Sequence, residues 1–431
     1  MSKKADGPFW VLWLLILSPL CPARAEAYLD PGTGSMLLSA LVGVAATIFF
    51  LLKDFCRRLS GTVQRLKGLK RIPAATGGIV FYSEGAAYWN TFRPVLEALD
   101  RLGQKTVYLS SDPADPGLSH PLRHGEARCI GSGSRAFAVL NMLEAGICAL
   151  TTPGLDVLQI RRSPGVRHYA HLVHAPTDAA IYKLFSFDYF DSVLCSGPHQ
   201  IRSLRHLEKL RGRPEKLLLE TGCLYLDVLA ERLGQSPPQA GSAQGPRLLL
   251  APTWGANGLL SRFGEKLLTP LARSGFPLTI RPHPQSLVAE KALIRNMREK
   301  FASLDNVRWD CAPDGFAAMA ASDILISDLS GIVFDYAFVL ERPVITVQFT
   351  PDIRGLEASD LPWPAWELDV LPELGARLAP EAVEDLPGII AGLPDQDFRR
   401  RLRELRRESL FNYGRAGETA ARQLLAILRD L

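Results

Sequence analysis

From residue 78 onward, short apolar runs alternate with amphipathic stretches, and a segment rich in Pro, Gly, Ser and Gln cuts that alternation in two. Before the cut, residues 79–82 and 106–110 read as strands on either side of a helix over 89–102, and apolar runs follow at 147–151, 166–173 and 192–195. After it, strand-like runs at 247–251, 278–281, 307–309, 324–326 and 344–347 are separated by helical patterns at 261–274, 289–301, 315–321 and 332–340. Strands that are apolar at every position are buried on both faces, which is the pattern of a parallel sheet covered by crossover helices. The sequence therefore predicts an α/β protein with two doubly wound Rossmann-like domains, 77–234 and 247–431, joined by a linker over 235–246 and facing a cleft. A length of 431 residues fits two such domains plus an appendage.

The appendage is N-terminal. Lys3 and Lys4 precede a 12-residue apolar block, 9–20, and Ala23-Arg24-Ala25 has the small residues of a cleavage site, so 1–25 reads as a signal peptide. A second block, 36–52, has 17 residues without a charge and reads as a transmembrane helix. A basic juxtamembrane segment, 53–76, follows with Lys53, Arg57, Arg58, Arg65, Lys67, Lys70 and Arg71 against Asp54 alone. The positive-inside bias places the rest of the chain in the cytoplasm, on a single-pass protein of the inner or plasma membrane, and the same basic segment suits anionic membrane lipids.

Composition closes other routes. A hydrophobic fraction of 47% excludes disorder, and 49 Lys+Arg against 45 Asp+Glu leave a charge of +4, too small for a nucleic-acid partner. The seven cysteines show no C-x-x-C spacing, in keeping with reduced thiols in a cytoplasmic compartment. No Walker A, H-E-x-x-H or G-x-S-x-G sequence occurs, and no ligand cluster calls for a metal or cofactor. Gly131-Ser132-Gly133-Ser134-Arg135-Ala136, with Asp156 beyond it, fits a dinucleotide fingerprint only loosely, because the apolar run ahead of it is two residues long.

Open α/β sheets bind ligands beyond the carboxyl ends of their strands, and three such places carry chemistry-bearing residues. His174 ends the run 166–173 and is followed by Ala175-Pro176-Thr177; an imidazole there could serve as a general base or be structural. Arg281-Pro282-His283-Pro284 ends another strand and offers a guanidinium fork and an imidazole to a phosphate, or a plain strand stop. Ser327-Asp328-Leu329-Ser330-Gly331 passes from a strand into an apolar helix, where exposed amides and hydroxyls make a phosphate site or an ordinary N-cap. The arginine-rich segment 399–407 carries acids between its bases and reads as a solvated helix face.

In order along the chain, His174, Ala251-Pro252-Thr253-Trp254, Arg281-Pro282-His283-Pro284, Ser327-Asp328-Leu329-Ser330-Gly331-Ile332-Val333-Phe334-Asp335-Tyr336 and Tyr413-Gly414-Arg415-Ala416 resemble the motifs of the CDP-glycerol glycerophosphotransferases, the teichoic-acid polymerase and primase group. The resemblance implies a GT-B-like fold and transfer of glycerol phosphate from CDP-glycerol to a hydroxyl of a lipid-linked or cell-envelope polymer acceptor, with release of CMP. It makes His174 and His283 the catalytic candidates and Arg281, Ser327, Asp328, Ser330 and Gly331 the donor-binding ones. Two positions depart from the family pattern: Ala175 stands where a glycine is usual, and Gly331 where a second serine is usual. Alternative readings are a GT-B glycosyltransferase or sugar epimerase with another nucleotide-activated donor, and a catalytically silent membrane scaffold.

Overall fold

A computed structural model describes residues 42–44, 47–49, 52–53, 75–235, 245–393 and 396–431. The chain divides into two units, 1–70 and 71–431. In the first unit the described residues are helical and expose Val42, Val44, Ile48, Phe49 and Leu52. Among the described residues no helix is long and apolar enough to cross a membrane, so the span expected over 36–52 is not carried by a described helix. The signal-like block 1–25, most of the basic segment 53–76 and most of the linker 235–246 lie outside the described residues.

The second unit holds two parallel sheets. The first contains β1 (Ala75–Ser83), β2 (Thr106–Ser110), β3 (Gly125–Cys129), β4 (Ala145–Leu150), β5 (Val166–Leu172), β6 (Ser192–Cys195) and β7 (Leu217–Glu220), in the order β3-β2-β1-β4-β5-β6-β7. Successive side chains of a strand point to opposite faces. Ile79 and Phe81 of β1 thus enter one core and Val80 and Tyr82 the other. The second sheet contains β8 (Leu248–Leu250), β9 (Leu278–Ile280), β10 (Val307–Trp309), β11 (Ile324–Ser327), β12 (Val344–Val347) and β13 (Gly375–Leu378), in the order β10-β9-β8-β11-β12-β13. Its strands split likewise, Leu248 and Leu250 to one face and Leu249 to the other.

Several expected elements are subdivided. The helix expected over 261–274 is broken at Gly264 (φ +48°) into Leu259–Phe263 and Glu265–Arg273. That over 289–301 becomes Ser286–Ala289 and Lys291–Lys300. That over 332–340 changes from an α-helical turn, Ile332–Asp335, to a π-helical one, Tyr336–Leu340.

The packing does not follow the order of the chain. The last helix, Ala416–Asp430, returns to the first sheet, where Ala416, Ala420, Leu424 and Ile427 join the core of Ile79, Phe81 and Phe92. In the opposite sense, Cys223, Leu226 and Leu229 beside the helix Leu224–Gln235 pack with Leu249, Phe334 and Phe338 of the second half. The Tyr413-Gly414-Arg415-Ala416 segment makes this return: the Gly414 and Ala416 amides donate to the Asp227 carboxylate at 2.7 Å each. Gly197 is required where the chain passes back, since a Cβ there would stand 1.9 Å from the Ser409 carbonyl oxygen. The arginine-rich helix Gln396–Ser409 buries Phe398 and Leu402 and exposes most of its arginines as expected; Arg406 bonds the Phe338 carbonyl, and Arg403 and Arg406 pair with Glu341.

Candidate active site

His174 stands two residues past β5, at the carboxyl edge of the first sheet. The turn that follows it is held by the start of the helix Pro198–Leu210. Gln200 Nε2 donates to the Thr177 carbonyl at 2.6 Å, Ser196 Oγ to that of Ala175 at 3.2 Å, and His199 Nε2 lies 2.8 Å from that of Pro176. Ala175 is not among the residues with positive φ, so this turn does not need the glycine the family pattern favours. The His174 ring packs edge-on against Tyr88 (centroids 5.3 Å apart) and Tyr182 (6.2 Å), and its Nδ1 is buried with no hydrogen-bond partner. Burial lowers its pKa to about 4, which leaves a neutral imidazole at pH 7.

The second sheet reverses strand order between β8 and β11, and the loops after these strands flank that crevice. Asp328 bridges them. Its Oδ1 accepts from the Thr253 amide at 2.8 Å and its Oδ2 from the Leu259 amide at 3.1 Å, and burial raises its carboxyl to about 6. Ser327 is fully buried and donates to the Ala251 carbonyl at 2.6 Å. Arg281 is paired with Asp310 at 2.6 Å and donates to the Pro313 carbonyl at 3.3 Å. His283 Nδ1 accepts from the Gln285 amide at 3.1 Å, which places the proton of the neutral ring on Nε2. The ring lies under the Trp254 indole with centroids 6.5 Å apart, and partial burial lowers its pKa. Glu290 fixes the same loop through Ser261 Oγ (2.6 Å) and the Gly255 amide (3.2 Å).

Between the halves lies a cavity of about 590 Å³. Thr177 and Ile181 line it from the first half, Ser330 and Gly331 from the turn after β11, and Trp363 and Glu367 from the segment after β12. That segment is tied to the first half. Arg211 pairs with Asp188 (2.7 Å), Asp360 (2.7 Å) and Glu357, and the Glu357 amide donates to the Tyr182 carbonyl at 2.8 Å. His199 stacks on Trp366 (4.1 Å, 10°), and Trp366 stacks in turn on Phe334 (5.0 Å, 29°), so aromatic faces cross the cleft.

Residues 205–356 match the family described as CDP-glycerol:poly(glycerophosphate) glycerophosphotransferase. The chain is CDP-glycerol glycerophosphotransferase-like. The matched stretch contains Arg281, His283 and the whole turn from Ser327 to Gly331; His174 precedes it. The fold is similar to that of the wall teichoic acid polymerase TagF (TM-score 0.54, 16% identity, covering 88% of this chain and 98% of that one) and of a CDPG-soaked variant of that polymerase (0.53, 15%, 90% and 98%). It is also similar to UDP-GlcNAc 2-epimerase from Methanocaldococcus jannaschii (0.50, 12%, 81% and 99%). These likenesses show a GT-B-like fold. No curated protein matches the sequence.

In this glycerophosphotransferase-like chain the candidate residues divide into three groups. Ser330 and Gly331 face the cavity, and Thr177, three residues past His174, meets them there. Arg281 and His283 are not among its walls; they gather with Asp310, Trp254 and Glu290 around the loops after β8, β9 and β10. Ser327 and Asp328 do not line this cavity: the first is spent on a carbonyl within the sheet and the second on two loop amides. Arg281 likewise already has an acidic partner, Asp310. Sequence reasoning missed Asp310, Glu290, Gln200 and Glu367. Asp310 had a signal, standing directly after a strand as Arg281 and Asp328 do; Gln200 and Glu367 sit within helices and Glu290 at the break between two, where their partners could not be read. The dinucleotide reading does not hold: Gly131 follows the edge strand β3, and Asp156 Oδ1 is occupied by the Arg162 amide at 2.9 Å.

Proposed function

We propose that this chain is a membrane-attached transferase that moves glycerol phosphate from CDP-glycerol to a hydroxyl of a lipid-linked acceptor at the cytoplasmic face of the membrane, releasing CMP. The observation that carries the reading is the family match across the Arg281–His283 and Ser327–Gly331 turns, both at the carboxyl ends of strands, where open α/β sheets take their ligands. Membrane attachment rests on the exposed apolar residues from Val42 to Leu52 and on the basic run beyond them. In this reading the acceptor oxygen attacks the glycerol-bearing phosphorus, the bond from that phosphorus to the CMP oxygen breaks, and neutral His174 takes the acceptor proton. The Gly331 amide, Ser330 Oγ and His283 Nε2–H are donors suited to the charge gathering on phosphoryl and leaving-group oxygens. Arg281, Ser327 and Asp328 act from beneath by fixing the loops.

The test is turnover. Full-length protein in lipid vesicles, given CDP-glycerol and a membrane lipid extract, should release CMP and label the lipid fraction with glycerol phosphate. Release of UDP from a UDP-sugar, or epimerised sugar, with CDP-glycerol left intact would replace this reading with the glycosyltransferase or epimerase one. Full cellular function in a His174→Ala, His283→Ala double variant would replace it with the scaffold.

A further inference from the structure

A catalytic imidazole is commonly aimed by a hydrogen bond to the ring nitrogen it does not use. His174 has no such bond at Nδ1, which is buried and unpartnered, so packing directs its ring. Two side chains do this, Tyr88 on one edge and Tyr182 on another. Tyr88 opens the helix Trp89–Arg101 within the first half, whereas Tyr182 is also held by the second. The Tyr182 ring packs on Phe187 (centroids 4.8 Å apart) as well as on His174, and its carbonyl accepts from the Glu357 amide at 2.8 Å. The contact continues along the chain: Lys183 pairs antiparallel with Leu356, and the Leu184 amide donates to the Gly355 carbonyl at 3.0 Å.

Glu357 locks this bridge. Fully buried, it accepts from the Ser186 amide at 2.9 Å through Oε1 and from Arg211 through Oε2, and Arg211 also holds Asp188 and Asp360. Phe185, between the bridge and Ser186, has φ +64°. A bulky residue keeps that backbone conformation only where its surroundings impose it. Here the Ser186 amide is tied to Glu357, and the Arg211 guanidinium lies over the Phe185 ring at 4.6 Å. We propose that Tyr182 is the positioning residue for His174, and that the bridge from the second half, locked by Glu357 and Arg211, holds Tyr182 against it. The aim of the proton acceptor in one half thus depends on a contact made by the other. The inference rests on the transferase reading for the role of His174.

The experiment follows the His174 ring by NMR of full-length protein labelled at histidine Cε1, with the signal assigned from its loss in His174→Gln. The titratable side chains against His174 are Tyr88, Tyr182 and His171, all uncharged at pH 7, because burial raises both phenols and lowers His171 to about 3. Burial alone sets the His174 titration near pH 4, so looser packing that admits water should move it up toward 6.5. Arg211→Gln, which removes the lock, and Tyr182→Leu, which removes the ring, should each raise it by at least about one pH unit. Both should lower kcat about tenfold or more and leave the KM for CDP-glycerol within about threefold, while Tyr182→Phe keeps wild-type values of all three. Glu357→Gln, which keeps an oxygen for the Ser186 amide and loses the charge facing Arg211, takes the place of Arg211→Gln if that variant does not fold. A wild-type His174 titration in the folded lock variant would overturn the proposal, as would a raised titration with kcat unchanged. The expected titration shifts in a protein that turns over no CDP-glycerol would uphold the positioning and defeat the transferase reading.

Discussion

The two halves share an architecture and immobilise their site loops by opposite means. In the first half neutral groups hold the turn after β5: the amide of Gln200, the hydroxyl of Ser196 and the imidazole of His199. In the second, carboxylates hold the loops: Asp328 on two amides, Glu290 on an amide and a hydroxyl, Asp310 on Arg281. Beside the neutral clamp, burial leaves the imidazole of His174 uncharged and its Nδ1 short of a partner, which suits a proton acceptor. Carboxylate clamps give stronger bonds to backbone donors but tie the loops to the ionisation of buried acids. The difference sets an unpartnered, neutral imidazole in one half against acid-braced loops in the other.

The sharpest break of that contrast is at its centre. His174→Ala should lower turnover by about 10²-fold or more, as for loss of a general base, and lower stability only through the lost packing of its ring on Tyr88 and Tyr182, because Nδ1 surrenders no hydrogen bond. Normal turnover in this variant would move the proton acceptor elsewhere. Asp328→Ala should do the reverse and act first on stability. It strands the Thr253 and Leu259 amides and should cost about 2–5 kcal/mol in urea denaturation, whereas Gln200→Ala, which strands the Ser196 amide and the Thr177 carbonyl but no partner of a carboxylate, should cost about 1–3 kcal/mol. Equal losses would mean that the two clamps are energetically alike.

How far this was legible in the sequence depends on where each partner lies. Central strands such as Ile324–Ser327 stand out because burial on both faces demands an unbroken apolar run. Gly125–Cys129 and Gly375–Leu378 are edge strands with polar or small residues, so nothing marks them. Leu217–Glu220, also at an edge, runs into the apolar start of the following helix. His174, Arg281 and Asp328 could be found because each stands just past a strand. That Asp328 serves amides some 70 residues away, or that the last helix returns to the first sheet, is a fact of tertiary packing with no local trace.

The contrast also predicts opposed pH dependences. His174, with its pKa lowered from 6.5 to about 4, contributes stability that is complete above pH 6.5 and is lost as pH falls through 4. Asp328 and Glu367, raised to about 6 and 7, contribute stability that is complete below about pH 4 and is lost as pH rises through those values. Between about pH 4.5 and 6 the two acids outweigh the single imidazole, so these three groups together lower the denaturation midpoint as pH rises from 4 to 7. His174→Gln should steepen that fall, and Glu367→Gln should flatten it. The reverse response in either variant would contradict the opposed shifts.

The smallest effect is expected where the chain departs from its family's pattern. Gly331 has φ −54° and ψ −31°, ordinary helical values, and a Cβ built there meets nothing within 4 Å. Neither backbone strain nor crowding requires glycine at this position, in contrast to Gly197. Gly331→Ser should thus raise stability by a few tenths to about 1 kcal/mol, through the better helix and cap propensity of serine. Its hydroxyl would enter the space shared with Ser330 at the cavity wall. CDP-glycerol affinity should stay within about threefold of the wild type, since one added solvated hydroxyl gains little net binding. A tenfold loss would show that a ligand occupies the open space above the Gly331 backbone, and that the missing serine is there to let it approach.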